Sequence, residues 1–421
     1  MKRLLSMLLC IVMLLSLVTV SALAEDKTVI KFANHMVLEA GTEPFWTQFE
    51  KDFEGRHPEI DLQYVTAPYG EMLNTVINMA GGGDRVDLMV GEIGWTPTLQ
   101  DSGLLCPVTD VMPQEYIDDF YPDMIKALSI DGVMYALPMN MTPYILFYNR
   151  DLFQQAGLDP NTPPTTYDEM LAYAEKLSQL TTADGNKVYA FGQTTASVPV
   201  SGMALMAMVY NFGGRVLTDD GKLDTDNEGF RQAFEMLRTL DEKGYNPQNA
   251  KLKDLRNLFA LGQLAMYYDQ SWGFGGVRSI NPDAINYTAS AAPLKGGNGN
   301  GDSIVASHCL VLVDNGEEHK AAVRTLIEEL LTEDTLSTFM SVDNPGYPSK
   351  KALENMKSVK ESTLLGGASN SLSCAKACPF IPTLNDLCLE LCTLAQNVTL
   401  NHTDFDTAYA TFVDAAESII E

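Results

Sequence analysis

The residue types that carry chemistry are all present in this chain, but not at the spacings that chemistry requires. Its five histidines, His35, His57, His308, His319 and His402, are scattered without the short intervals of metal ligands, so they suggest no metal centre. The chain contains no HExxH, no GxSxG, and no SxxK followed by KTG, which leaves no nucleophile with a matched base. Carboxylates are plentiful, at 55, and two of them at the right separation would suffice for a glycosidase; separation in space is not written in a sequence. Neither Gly81-Gly82-Gly83-Asp84 nor the Gly296 to Gly301 stretch has the lysine of a P-loop or the spacing of a dinucleotide fingerprint. The residues therefore predict no catalytic group, no cofactor and no histidine-built metal site.

Cysteine is the one type with a regular spacing. Cys374, Cys378, Cys388 and Cys392 form a C-x3-C-x9-C-x3-C array. A four-residue step returns to the same face of a helix, and Pro379 and Pro382 break any helix between the two pairs. An antiparallel hairpin would then join Cys374 to Cys392 and Cys378 to Cys388 as disulfides, with a four-thiolate zinc site as the alternative. Cys106 and Cys309 are expected to be buried thiols.

The elements that must position any site alternate between strand-like and helix-period segments, the pattern of an α/β protein with mainly parallel sheets. Thr28 to Ala33 reads as a strand, and Pro44 opens a helix with Phe45, Trp46, Phe49 and Phe53 on one face, so Trp46 is expected in the core. Leu62 to Val65, Val86 to Val90, Ala265 to Tyr268 and Leu310 to Val313 read as further strands. Thr166 and Glu169 mark a capping box before Met170, Ala174 and Leu177. Phe230, Ala233, Phe234, Leu237 and Leu240 form an apolar stripe ended by Gly244, and Glu317 to Leu331 forms another helix.

At 421 residues, 46% of them hydrophobic and 20% charged, the chain is long enough for two or three domains and is no disordered tail. Its formal charge of −27 argues against wholesale contact with nucleic acid or anionic lipid, which reward a basic patch. Residues 1–24 read as a secretory signal peptide: Lys2 and Arg3, an apolar Leu4 to Val20, and Ser21-Ala22-Leu23-Ala24 before Glu25. Cleavage is expected after Ala24 and places the protein outside the cytoplasm, periplasmic or at the cell surface. Cys10 reads as one more apolar residue of that segment.

The order of several segments resembles a known family. "FEKDFEGRHPEIDLQYV", "GGGDRVDLMVGEIGW", the long run from Asp131 through "ALPMNMTPYILFYNRDLFQQAGLDPNTPPTTYDEMLAYAEKL", "FALGQLAMYYDQSW", "AAPLKGGNGN" and "GYPSKKAL" are similar, in that order, to extracellular solute-binding proteins of ABC importers, in the maltose and multiple-sugar class. The resemblance implies a two-lobed periplasmic-binding-protein fold, each lobe a mainly parallel sheet flanked by helices, joined by a hinge that the chain crosses three times. One lobe would comprise residues 25–139 plus 305–340, and the other 140–304 plus 341–421. It implies a binding protein and no enzyme, a monomer that closes on a small ligand and passes it to a membrane permease.

Sugars need aromatic planes for the apolar face of the ring and carboxylates or amides for its hydroxyls. Trp272 follows the "AMYYDQS" run where family members place a stacking aromatic, with packed core as its alternative. Asn34 and His35 end the first strand, Glu92 and Trp95 end a later one at the edge where open parallel sheets bind ligands, Asn140 and Tyr144 lie near the first crossing, and Tyr347 near the last. For each of these a helix cap, a surface polar group or a core aromatic is the competing reading. The ligand itself is not named by the sequence: a carbohydrate leads, the acidic charge makes a polyamine or another cation second, and a secreted carbohydrate-active enzyme is the third alternative.

Overall fold

The computed structural model describes residues 27–39, 41–218, 220–340, 344–377, 381 and 383–420. The segment read as a signal peptide, and Cys378, Pro379 and Pro382, lie outside the described residues.

In chain order the strands are β1 (Thr28–Ala33), β2 (Ile60–Val65), β3 (Leu88–Glu92), a short β4 (Ser129–Ile130) and β5 (Val133–Met134) pair, β6 (Ala136–Pro138), β7 (Asn140–Asn149), β8 (Met266–Gln270), β9 (Thr288–Ala291), β10 (Ser303–Ala306), β11 (His308–Leu312), β12 (Tyr347–Pro348) and β13 (Ala375–Ala377). The helices that matter here are α1 (Glu43–Arg56), α2 (Tyr69–Gly81), α3 (Tyr167–Leu177), α4 (Pro199–Asn211), α5 (Glu228–Glu242), α6 (Leu252–Ala260), α7 (Phe274–Ile280), α8 (Glu317–Leu330), α9 (Glu333–Phe339), α10 (Leu384–Thr399) and α11 (Phe405–Ile420).

Two sheets organise these elements. The first runs β2-β1-β3-β11-β6, and the second runs β12-β7-β10-β13 with β8 and β9 also paired to β7. Parallel pairing holds β2-β1-β3 and β10-β13 together. Of the strands that carry the chain between sheets, β6 pairs antiparallel with β11 and β7 with β10; β11 also pairs antiparallel with β3, and β7 with β8, β9 and β12. The expectation of mainly parallel sheets therefore holds for β2-β1-β3 and β10-β13 and not for the strands paired to β7 and β11. The reason is geometric: a strand arriving from the other sheet enters against the direction of strands that began locally.

The chain passes from the first sheet to the second at Met139, returns at Ser307, and passes again between α9 and β12. The second passage was expected between Ile304 and Val305, but Val305 and Ala306 still pair with Pro143 and Thr142 of β7, which moves it to Ser307. The first two passages lie side by side. Met139 N–H donates to His308 C=O at 2.7 Å, and Ser307 Oγ donates to Asn140 C=O at 2.5 Å.

All ten residues of β7 are buried, because both of its faces are covered. Ile145 and Phe147 join a hydrophobic cluster that runs from the first sheet to α6 and α7, whereas Tyr144, Leu146 and Tyr148 join a second cluster under α3, α4, α5, α10 and α11. The alternation follows from the two-residue period of a strand. Trp46 is fully buried, at 5.7 Å edge-on to Phe32.

Candidate functional site

β1 and β3 run parallel, so their C-terminal ends open on the same edge of the first sheet. After β1, the side chain of Asn34 accepts Met36 N–H at 3.0 Å and starts a single turn, His35–Leu38. That turn drives the His35 ring inward, where its Nδ1 lies 3.1 Å from Glu39 Oε1. A carboxylate can only accept, so His35 Nδ1 carries a proton and donates it to Glu39. His35 Nε2 and Asn34 Nδ2 are both buried and have no hydrogen-bond partner among the described residues. A buried polar atom left in that state costs about 1–3 kcal/mol.

At the end of β3, burial pushes the Glu92 carboxyl above its usual range, while a hydrogen bond from Tyr69 and the nearby His35 pull it back. Tyr69, the first residue of α2, stands 5.3 Å from Trp95 and 5.2 Å from His35 and keeps 45% of its surface exposed. Gly91 makes room for Trp95: a Cβ there would stand 3.3 Å from the indole and 2.9 Å from Val311. In the β3–β11 ladder His308 stands opposite Glu92, with its ring 6.4 Å from His35. The edge thus gathers Asn34, His35, Glu92 and Trp95, as expected, with Glu39, Tyr69 and His308, which the sequence did not single out. Tyr69 follows Pro68 at a helix start, a signal too common to have marked it.

The second sheet contributes Trp272. It follows β8 in a one-turn helix, Ser271–Gly273, and 37% of its surface is exposed. Its Nε1 donates to Gln270 Oε1 at 3.1 Å, and the Arg256 guanidinium lies 4.7 Å from the ring centre. Arg256 in turn forks onto the fully buried Asp269, at 2.7 and 2.9 Å. Burial alone would weaken the Arg256 charge, and Asp269 more than restores it, so its pKa lies above the ordinary arginine value. Packed core is thus not the setting of Trp272. Gln270 stands opposite Tyr144 in the β7–β8 ladder, four residues along β7 from Asn140, or about 13 Å at the usual strand rise.

Three other residues expected at the site are buried. Asn140 is fully buried in the hinge: its Oδ1 accepts His308 N–H at 3.1 Å, and its Nδ2 sits against Gly346, where a Cβ would stand 3.1 Å away. Tyr347 is a core residue whose hydroxyl donates to Leu365 C=O at 3.0 Å. Tyr144 is buried in the second cluster, opposite Gln270 in the β7–β8 ladder and near enough to Arg256 to act on its charge. Strand alternation, unreadable at a chain crossing, turned these last two rings inward.

Of the expected cysteine hairpin, the Cys374–Cys392 bridge is corrected, and the Cys378–Cys388 bridge lies outside the described residues. Cys374 ends a 3-10 run and leads into β13, so the first pair does not sit on a helix, and Cys374 and Cys392 carry no bridge. Cys392 and Cys388 lie in α10, with Cys392 Sγ 3.6 Å from Val198 C=O. No group of three metal-ligating side chains occurs among the described residues. Cys106 and Cys309 are buried thiols.

Comparison with known proteins decides the family. The sequence model of the bacterial extracellular solute-binding proteins matches residues 39–335. The chain belongs to that family. A binding protein of Brucella abortus is 22% identical over 386 residues, 91% of each chain. The sn-glycerol-3-phosphate-binding periplasmic protein of the same organism is 30% identical over 221 residues, 50% of this chain and 49% of that one. In structure, the cyclic α-maltosyl-1,6-maltose binding protein of Arthrobacter globiformis superposes with a TM-score of 0.81 at 18% identity, covering 94% of this chain and 99% of that one. The fold is therefore the two-lobed one, and the family is one of binding proteins. No helix among the described residues is long and apolar enough to cross a membrane.

Proposed function

We propose that this solute-binding protein serves an ABC importer, binding a sugar or short oligosaccharide between its lobes and delivering it to the membrane permease. It would act as an exported monomer after loss of residues 1–24. The lobes would comprise residues 25–139 with 308–340, and 140–306 with 341–421, closing about Met139 and Ser307. Trp272 would stack on a ring from one side. From the other, Glu92 and His35 Nε2 would accept hydroxyl protons, Asn34 Nδ2 would donate, and Tyr69 and Trp95 would cover the sugar's C–H surface.

The observation that carries this reading is the pair of orphaned atoms at the end of β1, an amide nitrogen that donates and an imidazole nitrogen that accepts in the neutral form of the ring. A hydroxyl satisfies both kinds at once, whereas a phosphate only accepts and an ammonium only donates. Phosphate is disfavoured further because Arg256, the cation beside Trp272, is already committed to Asp269. One observation favours a cation instead: a hydrogen bond from His35 holds the Glu39 carboxyl below its usual range, near the Tyr69 ring. A thermal-shift screen of mono- and oligosaccharides against spermidine and putrescine separates the two, since a ligand of the native state raises the melting temperature.

For the ligand so found, Trp272→Ala is expected to weaken binding by about 2–4 kcal/mol with little change in melting temperature. Calorimetric titration and a melting curve of the variant provide the check. Undiminished affinity defeats the stacking role.

A further inference from the structure

We propose that Arg256 and Asp269 are positioning residues, which hold the Trp272 indole in one orientation with its outer face open before any ligand arrives. The inference rests on the stacking role given to Trp272 above. A tryptophan more than one-third exposed on a short turn has little packing to choose its rotamer, yet three contacts fix this one. Arg256 covers the inner face at 4.7 Å, and Gln270 Oε1 accepts the indole N–H at 3.1 Å. The turn itself is seated on the Asp269 carboxylate, since a Cβ on Gly273 would stand 2.2 Å from Asp269 Oδ2.

Each contact leads back to Asp269. Its two oxygens take the Arg256 fork at 2.7 and 2.9 Å, and Oδ1 also accepts Gln270 N–H at 2.8 Å. One buried carboxylate therefore orients the arginine beneath the indole and the backbone of the residue that holds its edge. A buried ion pair is a poor device for stability, because desolvation offsets most of its attraction. It is a good device for geometry: a bidentate guanidinium has one plane, and that plane sets the plane of the ring stacked on it. Arg256 lies beneath the indole and not beside the ligand, so it acts through Trp272. Ordering the platform in advance removes a rotamer cost from binding.

The test uses the full chain labelled with 5-fluorotryptophan and read by fluorine NMR without ligand. Trp46, Trp95 and Trp272 give three resonances, and Trp272→Phe identifies the third. Arg256→Met combined with Asp269→Asn, which removes both charges together, is expected to split or broaden the Trp272 line while the line of the buried Trp46 stays unchanged and reports an intact fold. Gln270→Ala, which touches no buried charge, is expected to loosen the same line to a smaller degree. A narrow, unshifted Trp272 line in both variants overturns the inference. A binding arm with maltotriose adds a readout that a merely structural role would not move. The double variant should weaken binding about tenfold in the wild-type background and not at all with Trp272→Ala; equal weakening in both backgrounds overturns the inference. Failure of the wild type to bind maltotriose counts against the sugar reading alone, and the fluorine spectra then decide the positioning.

Discussion

His308 shows how one residue can serve hinge and site together. Its Nδ1 stands 3.2 Å from Asn140 Oδ1, which already accepts the His308 backbone N–H, so the ring donates there and is held neutral. Burial, with His35 close by, lowers its pKa to about 4, against 6.5 for the free side chain. Between those two values the unfolded chain binds a proton that the folded chain refuses, so stability is lost as pH falls from about 6.5 to 4. At about 1.4 kcal/mol per unit, the loss reaches up to about 3 kcal/mol. Glu92 opposes it, since a carboxyl whose pKa is raised by burial favours the folded state as pH falls. Urea midpoints for wild type and His308→Gln from pH 7 to 4 separate the two: the difference between the curves should shrink steadily across that interval. A constant difference would show that the His308 ring titrates as it does in the unfolded chain.

At the scale of elements, the legible parts of the sequence were those with one face in water. The stripe from Phe230 to Leu240 became α5, with Gly244 at a positive φ of 66° just beyond it, and Thr166 caps α3 by accepting Glu169 N–H at 3.1 Å. Glu169 itself reaches Thr165 instead of the cap residue. α4 gave no such signal. It is buried on every side, from Ser201 to Asn211 with only Met203 partly covered, so it has no polar face and no stripe to detect. Its partner α10 carries Cys388 and Cys392 one turn apart, as their four-residue step implies, and Cys392 packs toward α4 with its Sγ 3.6 Å from Val198 C=O. At their contact a Cβ on Gly202 would stand 2.3 Å from Cys388 C=O, and backbone cannot give way as a side chain can. Gly202→Ala is therefore expected to cost about 1–3 kcal/mol. Gly81→Ala, with nothing within 4 Å at the end of α2, should cost nothing and gain up to about 1 kcal/mol. Denaturant unfolding of the two variants checks both values.

At the scale of the whole molecule, the candidate site was legible where strands end and illegible where the chain crosses. Asn34, Glu92 and Trp95 were found because strand ends are visible as strands. Arg256 and Asp269 were not, because thirteen residues and two element types separate them and only the fold brings them together. The crossings also decide how the lobes can move. β6–β7 and β10–β11 run antiparallel beside each other through both sheets, so the first two crossings form one continuous two-stranded ribbon that bends at Met139 and Ser307. Such a ribbon can fold about its width without separating its strands, which is hinge motion and not sliding. Ligand shifts the balance between open and closed forms only by its differential affinity for them, and the proposed site, half on each sheet, would be complete only when closed. Two outcomes are expected together when the ligand from the thermal-shift screen is added. The radius of gyration from solution X-ray scattering should fall, while the Met139 amide, bonded to His308 C=O at 2.7 Å, should keep the same slow hydrogen exchange with and without ligand. Compaction with a newly exposed Met139 amide would mean that the ribbon opens during closure, and an unchanged radius would mean that the lobes do not close on this ligand at all.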